Sequence, residues 1–232
     1  MANKKPEVSI TIPIYNEEKG IEKTVTNLAN EFERQKIDYQ LVLVNHGSWD
    51  NTEKVLERLG KDNKKLRIIN LEKNLGYGGG IQYGFEHSDG DYIGFTCADE
   101  EVSAQDAYKI FDFLKNSNYD IAKASRIKRT DGTFRKFTSL VFNVLIAIRF
   151  NLHVRDVNGY PFYMKKEVFD SLNVKEKAHL FNLDLLREIR KKKYSIKEVP
   201  IVHRKRKTGK TFMKLPRVFE MAFDLLKYSL RF

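Results

Sequence analysis

Residues 92–101 read YIGFTCADEE, an apolar run that stops at a small residue and three acids, Asp99, Glu100 and Glu101. A short apolar run of this kind has the character of a buried strand. By the strand period of two, Asp99 and Glu101 fall on one side of its carboxyl end. Two hard oxygen donors there can hold a divalent cation and leave coordination positions open. Three acids after a strand also describe a solvated turn, so the neighbours must arbitrate.

Upstream, the chain alternates. VSITIPIY (8–15) reads as a strand, and 17–34 as a helix with Ile21, Val25, Leu28 and Phe32 on one face. YQLVLVN (39–45) is a second strand, followed by HGSWDNT and a short helix through Leu59; LRIINL (66–71) is a third, and 92–96 the fourth. Strands separated by helices imply a mainly parallel sheet with helices on both faces. Functional residues of such sheets gather at the carboxyl edge, where each distinctive motif of this chain falls.

The second half is less regular. It reads as a strand at 120–125, a long apolar-rich helix at 134–152, a short strand at 160–164, a helix near Glu167 and another at 182–193. A late strand at 196–203 contains Pro200, which suits a sheet edge. The tail, 215–232, places Leu215, Val218, Phe219, Ala222, Phe223, Leu226 and Leu230 on one helical stripe. With no repeat or linker, 1–232 is expected to be one domain.

At 232 residues the chain can bury one substantial core. Its single cysteine, Cys97, excludes an internal disulfide and fits a reducing compartment. The start, MANKKPEVSI, lacks the apolar core of a signal peptide. The longest apolar stretch, 140–148, is broken by Asn143 and falls short of the ~20 residues of a spanning helix. The expected location is cytoplasmic, free or peripheral on the cytoplasmic membrane face. The net charge of +11, concentrated in 123–136, 187–193 and 204–214, suits an anionic partner.

LEKNLGYGGGIQYGF (71–85) lies between a strand and a helix, and its Gly76 and Gly78 would let backbone amides approach a phosphate. It does not match G-x-G-x-x-G, because Ile81 stands where the last glycine belongs, and such a stretch alone is as readily a turn. VNHGSWDNT (44–52) sets Asn45 and His46 at a strand end, able to read a base. Ser48 or Asp50 would cap the next helix as readily as touch a ligand.

These segments, together with IPIYNEE (12–18), SRIKRTDGTFRK (125–136), RDVNGYPFYM (155–164) and HRKRKTGKT (203–211), occur in the order seen in family two glycosyltransferases. The chain resembles the dolichyl- and polyprenyl-phosphate sugar synthase branch most closely, over nearly its whole length. The resemblance implies a GT-A fold, with a nucleotide-sugar-binding half (1–130), an acceptor-binding half (131–212) and a C-terminal amphipathic helix (213–232). It implies that Pro13, Tyr15 and Glu17 line the nucleotide pocket, that Asn45 and His46 contact base and ribose, and that Asp99 binds Mg²⁺ or Mn²⁺ with Glu101 as second ligand. Arg126 is placed to meet pyrophosphate or an acceptor phosphate, and Asp156 to lie near the reacting centre. Arg204, Arg206 and Lys210 would engage phosphates. Two residues depart from the family pattern: Cys97 replaces the first carboxylate of the acidic triplet, and His46 replaces a common acid.

For a hydroxyl acceptor a carboxylate must take the proton, and Asp156 is the first choice, Asp184 the second. A lipid-phosphate acceptor is already anionic, so positioning carries more of the work and Arg126 becomes a clamp. The expected activity is metal-dependent, inverting transfer from a nucleotide-sugar donor to a polyprenyl phosphate or glycan. Helices 134–152 and 215–232 suit either a membrane interface or ordinary core and homodimer packing. The competing reading is a catalytically weakened nucleotide- or nucleic-acid-binding relative, favoured by the charge and the two lost acids. Nucleic acid is disfavoured because an acidic cluster repels phosphate unless a metal intervenes, and no nucleic-acid motif is present.

Overall fold

The computed structural model describes residues 5–61, 63–128, 143–202, 204 and 223–231. In chain order the elements are β1 (Val8–Ile14), α1 (Ile21–Arg34), β2 (Tyr39–His46), α2 (Thr52–Gly60), β3 (Leu66–Leu71), α3 (Gly76–Glu86), β4 (Tyr92–Phe95) and α4 (Ala104–Lys115). They continue with β5 (Ile121–Lys128), α5 (143–150), β6 (Phe162–Lys165), α6 (Lys166–Ser171), α7 (Phe181–Lys191), β7 (Ile196–Val202) and α8 (223–229).

The strands form one seven-stranded sheet in the order β3-β2-β1-β4-β6-β5-β7. β1 to β4 run parallel, β5 and β7 are parallel, and β6 is antiparallel to both β4 and β5. This is the mainly parallel α/β sheet expected of a GT-A fold. β7, with Pro200, takes an edge.

Two apolar layers cover the sheet. Ile10, Ile12 and Ile14 of β1 pack against the α1 stripe, where Val25, Leu28 and Phe32 are buried with Phe111 of α4. On the other face Ile93 and Phe95 of β4 meet Ile81 and Phe85 of α3 and Phe181 and Leu185 of α7. Burying each such side chain contributes roughly 1.5–3 kcal/mol, enough to set which face of each helix turns inward.

Three sequence readings need correction. α1 begins at Ile21 rather than near Glu17, because residues 16–18 are drawn into a loop with Asn16 at φ 55°. The glycine-rich stretch is not a loop: Gly76, Gly78, Gly79 and Gly80 form the first turns of α3. A Cβ on Gly78 would sit 2.2 Å from Phe181 Cβ, so glycine there admits α7. α4 falls where the sequence reading assigned no element. Its cap is Ser103, whose Oγ accepts the Asp106 N–H at 3.1 Å while Asp106 Oδ2 accepts the Ser103 hydroxyl at 2.6 Å. Residues 134–142 and 215–222 of the two long expected helices lie outside the described residues; 143–150 and 223–229 are helical.

Candidate active site

The carboxyl ends of β1, β2, β4 and β5 bring most of the expected residues to one edge. At β2, the Asn45 amide donates to Asn70 Oδ1 at 2.9 Å, and its buried Oδ1 has no partner among the described residues. The His46 ring stacks on Tyr15 with centroids 6.1 Å apart, and its Nδ1–H donates to Asn74 Oδ1 at 3.1 Å. Burial lowers the His46 pKa, with the Asn74 bond opposing, so the imidazole is neutral at pH 7. Pro13 lies beside it, since a Cβ on Gly80 would touch both His46 and Pro13.

Ser48 and Asp50 serve the scaffold. Ser48 Oγ accepts the Asn16 N–H at 2.9 Å, and Asp50 Oδ2 accepts the Glu18 N–H at 3.3 Å. Asp50 Oδ1 also accepts the Thr52 N–H at 3.0 Å, and Thr52 Oγ1 accepts the Glu17 N–H at 2.9 Å. These bonds join the β1–α1 and β2–α2 loops and leave Trp49 80% exposed at their tip. The α3 amides are likewise engaged: Gly76 N–H donates to Asn74 Oδ1 at 2.8 Å and Gly79 N–H to the Lys177 carbonyl at 2.7 Å.

At β4 the acids do converge, by a different device from strand alternation. The strand ends at Phe95, and the chain turns at Glu100, whose φ of 55° is left-handed. The Glu101 N–H donates back to Asp99 Oδ1 at 3.2 Å. Glu100 points to α1, where it pairs with Lys23 at 2.8 Å. Asp99 and Glu101 meet at one phenol: the Tyr160 hydroxyl is 3.2 Å from Asp99 Oδ2 and 3.0 Å from Glu101 Oε2. Burial, then the charges of Asp99 and Glu101, push the Cys97 thiol well above its usual range, so it stays protonated beside them. Tyr160 is pushed up by burial and the same acids. The Arg204 N–H donates to the Glu101 carbonyl at 2.9 Å; Arg206 and Lys210 lie outside the described residues.

Arg126, on β5, is 5.8 Å from the Tyr160 ring centroid. Its Nε and Nη2 form a fork onto Asp156 at 2.7 and 2.8 Å, and its backbone N–H adds a third bond at 3.2 Å. Burial would raise the Asp156 pKa, but the Arg126 bonds outweigh it and hold it at about 2. Asp184 stands apart, on α7. Its Oδ2 accepts the Lys175 and Glu176 N–H groups at 2.7 and 3.1 Å, and its Oδ1 accepts the Tyr228 hydroxyl. Those bonds clasp the 173–176 segment and α8 to α7.

A family model described as glycosyl transferase family 2 matches residues 9–172, most of the chain. The chain belongs to glycosyl transferase family 2. The chain is 25% identical over 221 residues to an undecaprenyl-phosphate 4-deoxy-4-formamido-L-arabinose transferase of Proteus mirabilis, covering 94% of this chain and 66% of that one. It is 25% identical over 245 residues to a dolichyl-phosphate β-glucosyltransferase of Trichomonas vaginalis, covering 97% and 71%. It therefore spans about two thirds of the length of these relatives. Among solved structures, glucosyl-3-phosphoglycerate synthase of Mycobacterium tuberculosis, in complex with Mn²⁺, UDP and phosphoglyceric acid, superposes with a TM-score of 0.76 at 19% identity over 95% of this chain and 76% of that chain. Mannosyl-3-phosphoglycerate synthase of Rubrobacter xylanophilus gives 0.74 at 17% over 97% and 73%. At that identity the structural likeness speaks for the fold.

Sequence reasoning missed Tyr160, which unites the two acids, and it counted Lys123 among the basic surface when it is fully buried. A lysine flanked by alanines in IAKAS was the available signal. It also left Glu198 as an ordinary strand residue, although its carboxylate accepts two backbone N–H groups.

Proposed function

We propose that this chain transfers a sugar, with inversion, from a nucleoside-diphosphate donor to a polyprenyl-phosphate type of acceptor, with a divalent cation at Asp99 and Glu101. The observation that carries this reading is the convergence of those two carboxylates on Tyr160, next to the Arg126 guanidinium.

The donor set fits Mg²⁺ or Mn²⁺. It offers two hard carboxylates, and no group of three or more His, Cys, Asp or Glu forms a closed cage among the described residues. When bound, the cation supplies Lewis-acid stabilisation of the departing diphosphate. Asp99 and Glu101 would hold it, with the Tyr160 hydroxyl placed to orient the two carboxylates. Arg126 contributes fixed donors to the charge that develops as the sugar leaves. Asn45 lies at the base end of the site, where Tyr15 stacked on the neutral His46 ring offers the base an aromatic surface.

The acceptor follows from acidity. Asp156 is locked in the Arg126 fork with its pKa near 2, a poor base at neutral pH. Asp184 has both oxygens committed to backbone and Tyr228. An acceptor that is already anionic needs neither, which favours a lipid phosphate over a sugar hydroxyl and agrees with the polyprenyl-phosphate acceptors named for the two relatives. We assign Asp156 to holding Arg126 and Asp184 to holding structure.

No helix among the described residues is long and apolar enough to cross a membrane. Val144, Leu145 and Ile148 of α5 and Phe223, Leu226 and Leu230 of the α8 segment are exposed. The two segments touch through Phe150 and Tyr228 and through Arg149. Such an apolar face with arginine beside it suits peripheral contact with an anionic bilayer that presents the acceptor.

The test is transfer of labelled sugar from UDP-, GDP- and dTDP-sugars to a short polyprenyl phosphate, with Mn²⁺ or with chelator. Wild type should transfer only with the metal and Asp99→Ala should not. Full transfer by Asp99→Ala overturns the metal role, and selective transfer to sugar hydroxyls overturns the acceptor.

A further inference from the structure

Lys123 is the most anomalous side chain in the sheet. It is 0% exposed, in the middle of β5, and a buried ammonium is costly unless every donor finds an acceptor. Its Nζ donates to the Asp156 main-chain carbonyl and, at 3.2 Å, to the Ala124 carbonyl. It also stands 3.5 Å from Glu198 Oε1, on the residue paired with it in β7.

Glu198 grips the same segment from the other side. Its Oε2 accepts the Arg155 N–H at 2.7 Å and its Oε1 the Asp156 N–H at 3.0 Å. Residue 156 is thus held at both its N–H and its C=O by a lysine and a glutamate from adjacent strands. The Asp156 carbonyl also accepts the Gly159 N–H at 3.0 Å, and a Cβ on Gly159 would sit 2.1 Å from the Ala124 carbonyl oxygen. The whole turn is pressed onto β5.

What leaves this clamp is the Asp156 carboxylate, forked onto Arg126. Arg126 faces Tyr160, and Tyr160 meets Asp99 and Glu101. Buried ion pairs are seldom net stabilising against well-packed hydrophobic residues, so charge pairing alone does not account for Lys123 and Glu198 here. An apolar pair could not hold the backbone of residues 155 and 156 at a fixed height above the sheet.

We infer that Lys123 and Glu198 are positioning residues for the transfer step: they fix residues 155–156 so that Asp156 presents Arg126 to the acidic pair. This rests on the function proposed above and deepens it. Neither side chain touches substrate in this scheme, so the clamp governs turnover and leaves donor affinity alone.

The experiment compares wild type with Glu198→Gln, Glu198→Ala, Lys123→Met and the double variant Lys123→Met/Glu198→Gln. Each is measured for kcat and KM in labelled-sugar transfer with Mn²⁺, for UDP–Mn²⁺ affinity by calorimetry, and for thermal midpoint. Misplacing a catalytic donor by about 1 Å costs on the order of 100-fold, so kcat should fall about 10- to 100-fold while donor KM and UDP affinity stay within about threefold. Glu198→Gln keeps an acceptor oxygen and should retain more activity than Glu198→Ala. A folded variant with kcat within about twofold of wild type overturns the proposal, as does a parallel fall of kcat and UDP affinity, which marks general collapse. If Lys123→Met does not fold, Glu198→Gln decides by the same criteria. A crystal structure of Glu198→Gln separates this claim from the assigned activity: should wild type transfer no sugar, an intact Arg126–Asp156 fork in the variant still overturns the clamp, and an opened fork supports it.

Discussion

At the β1–β2 half of the carboxyl edge, polar side chains bond to one another and to backbone, and Asn45 and His46 at the strand end are neutral. At the β4–β5 half, carboxylates and a guanidinium meet within one buried network. In the first half, Ser48, Asp50 and Thr52 are spent on the 16–18 loop, while Asn45 and His46 carry no charge. In the second, Asp99, Glu101, Tyr160, Arg126 and Asp156 form a continuous chain of contacts. The contrast separates two tasks. Under the proposed function, the first half would recognise a base by shape and hydrogen bonds. Under the same reading, a departing diphosphate would be met by charge held in place beforehand, which the second half supplies.

The largest expected effect breaks that contrast at its charged end. Asp99→Ala should lower transfer by roughly 1,000-fold or more, the scale on which a preorganised electrostatic element acts. Its UDP affinity in chelator should match wild type; an Asp99→Ala enzyme that transfers normally would erase the division between the halves. Arg126→Ala should cost about 100- to 1,000-fold in kcat. It also leaves Asp156 buried and unpaired, for about 3–5 kcal/mol of stability in urea melts. Arg126→Lys keeps the charge and loses the fork, so it should recover little of either.

Asp184→Asn tests the other buried aspartate. It should leave kcat within about threefold while removing roughly 1–3 kcal/mol, read as a drop in thermal midpoint, because charge-assisted bonds to the 175–176 amides are weakened. Loss of transfer without loss of stability would move Asp184 into the site.

Acid offers a smaller probe of the same network. The Asp156 pKa is depressed from 3.8 to about 2, so its stabilisation is complete well above pH 4 and drains as pH falls towards 2. That contribution is about 2 kcal/mol, and urea melts between about pH 6 and pH 2.5 should show it in wild type and not in Asp156→Asn. Parallel pH curves for the two proteins would mean the fork does not form.

Trp49→Ala is expected to be the mildest change, within about 0.5 kcal/mol of wild-type stability, because the side chain is exposed and only its backbone N–H is used. If UDP affinity fell tenfold, the neutral half would extend further than its buried residues suggest.

Much of this was legible in the chain. The apolar runs at 8–15, 39–45 and 66–71 became β1, β2 and β3 almost residue for residue, and the Ile21–Phe32 stripe became the inner face of α1. α4 escaped notice because its signal, Ser103 three residues before Asp106, is a capping pattern rather than a motif. The acidic pair was found for a partly mistaken reason. Alternation along a strand does not unite Asp99 and Glu101; a left-handed Glu100 and a shared Tyr160 do.

Local sequence therefore determined most of the strands and helices, the mainly parallel character of the first half and the edge on which polar motifs collect, since each depends on neighbours a few positions away and on the burial of one face. Tertiary structure alone decided which carboxylates are available. Asp156 and Asp184 are the first and second choices of base on paper, and both are deeply buried in the fold. One is clamped by an arginine 30 residues away, the other by backbone 8 and 9 residues back and a tyrosine 44 residues on. Whether a carboxylate is free to act depends on what stands within hydrogen-bonding distance of it, and that is a property of the assembled chain.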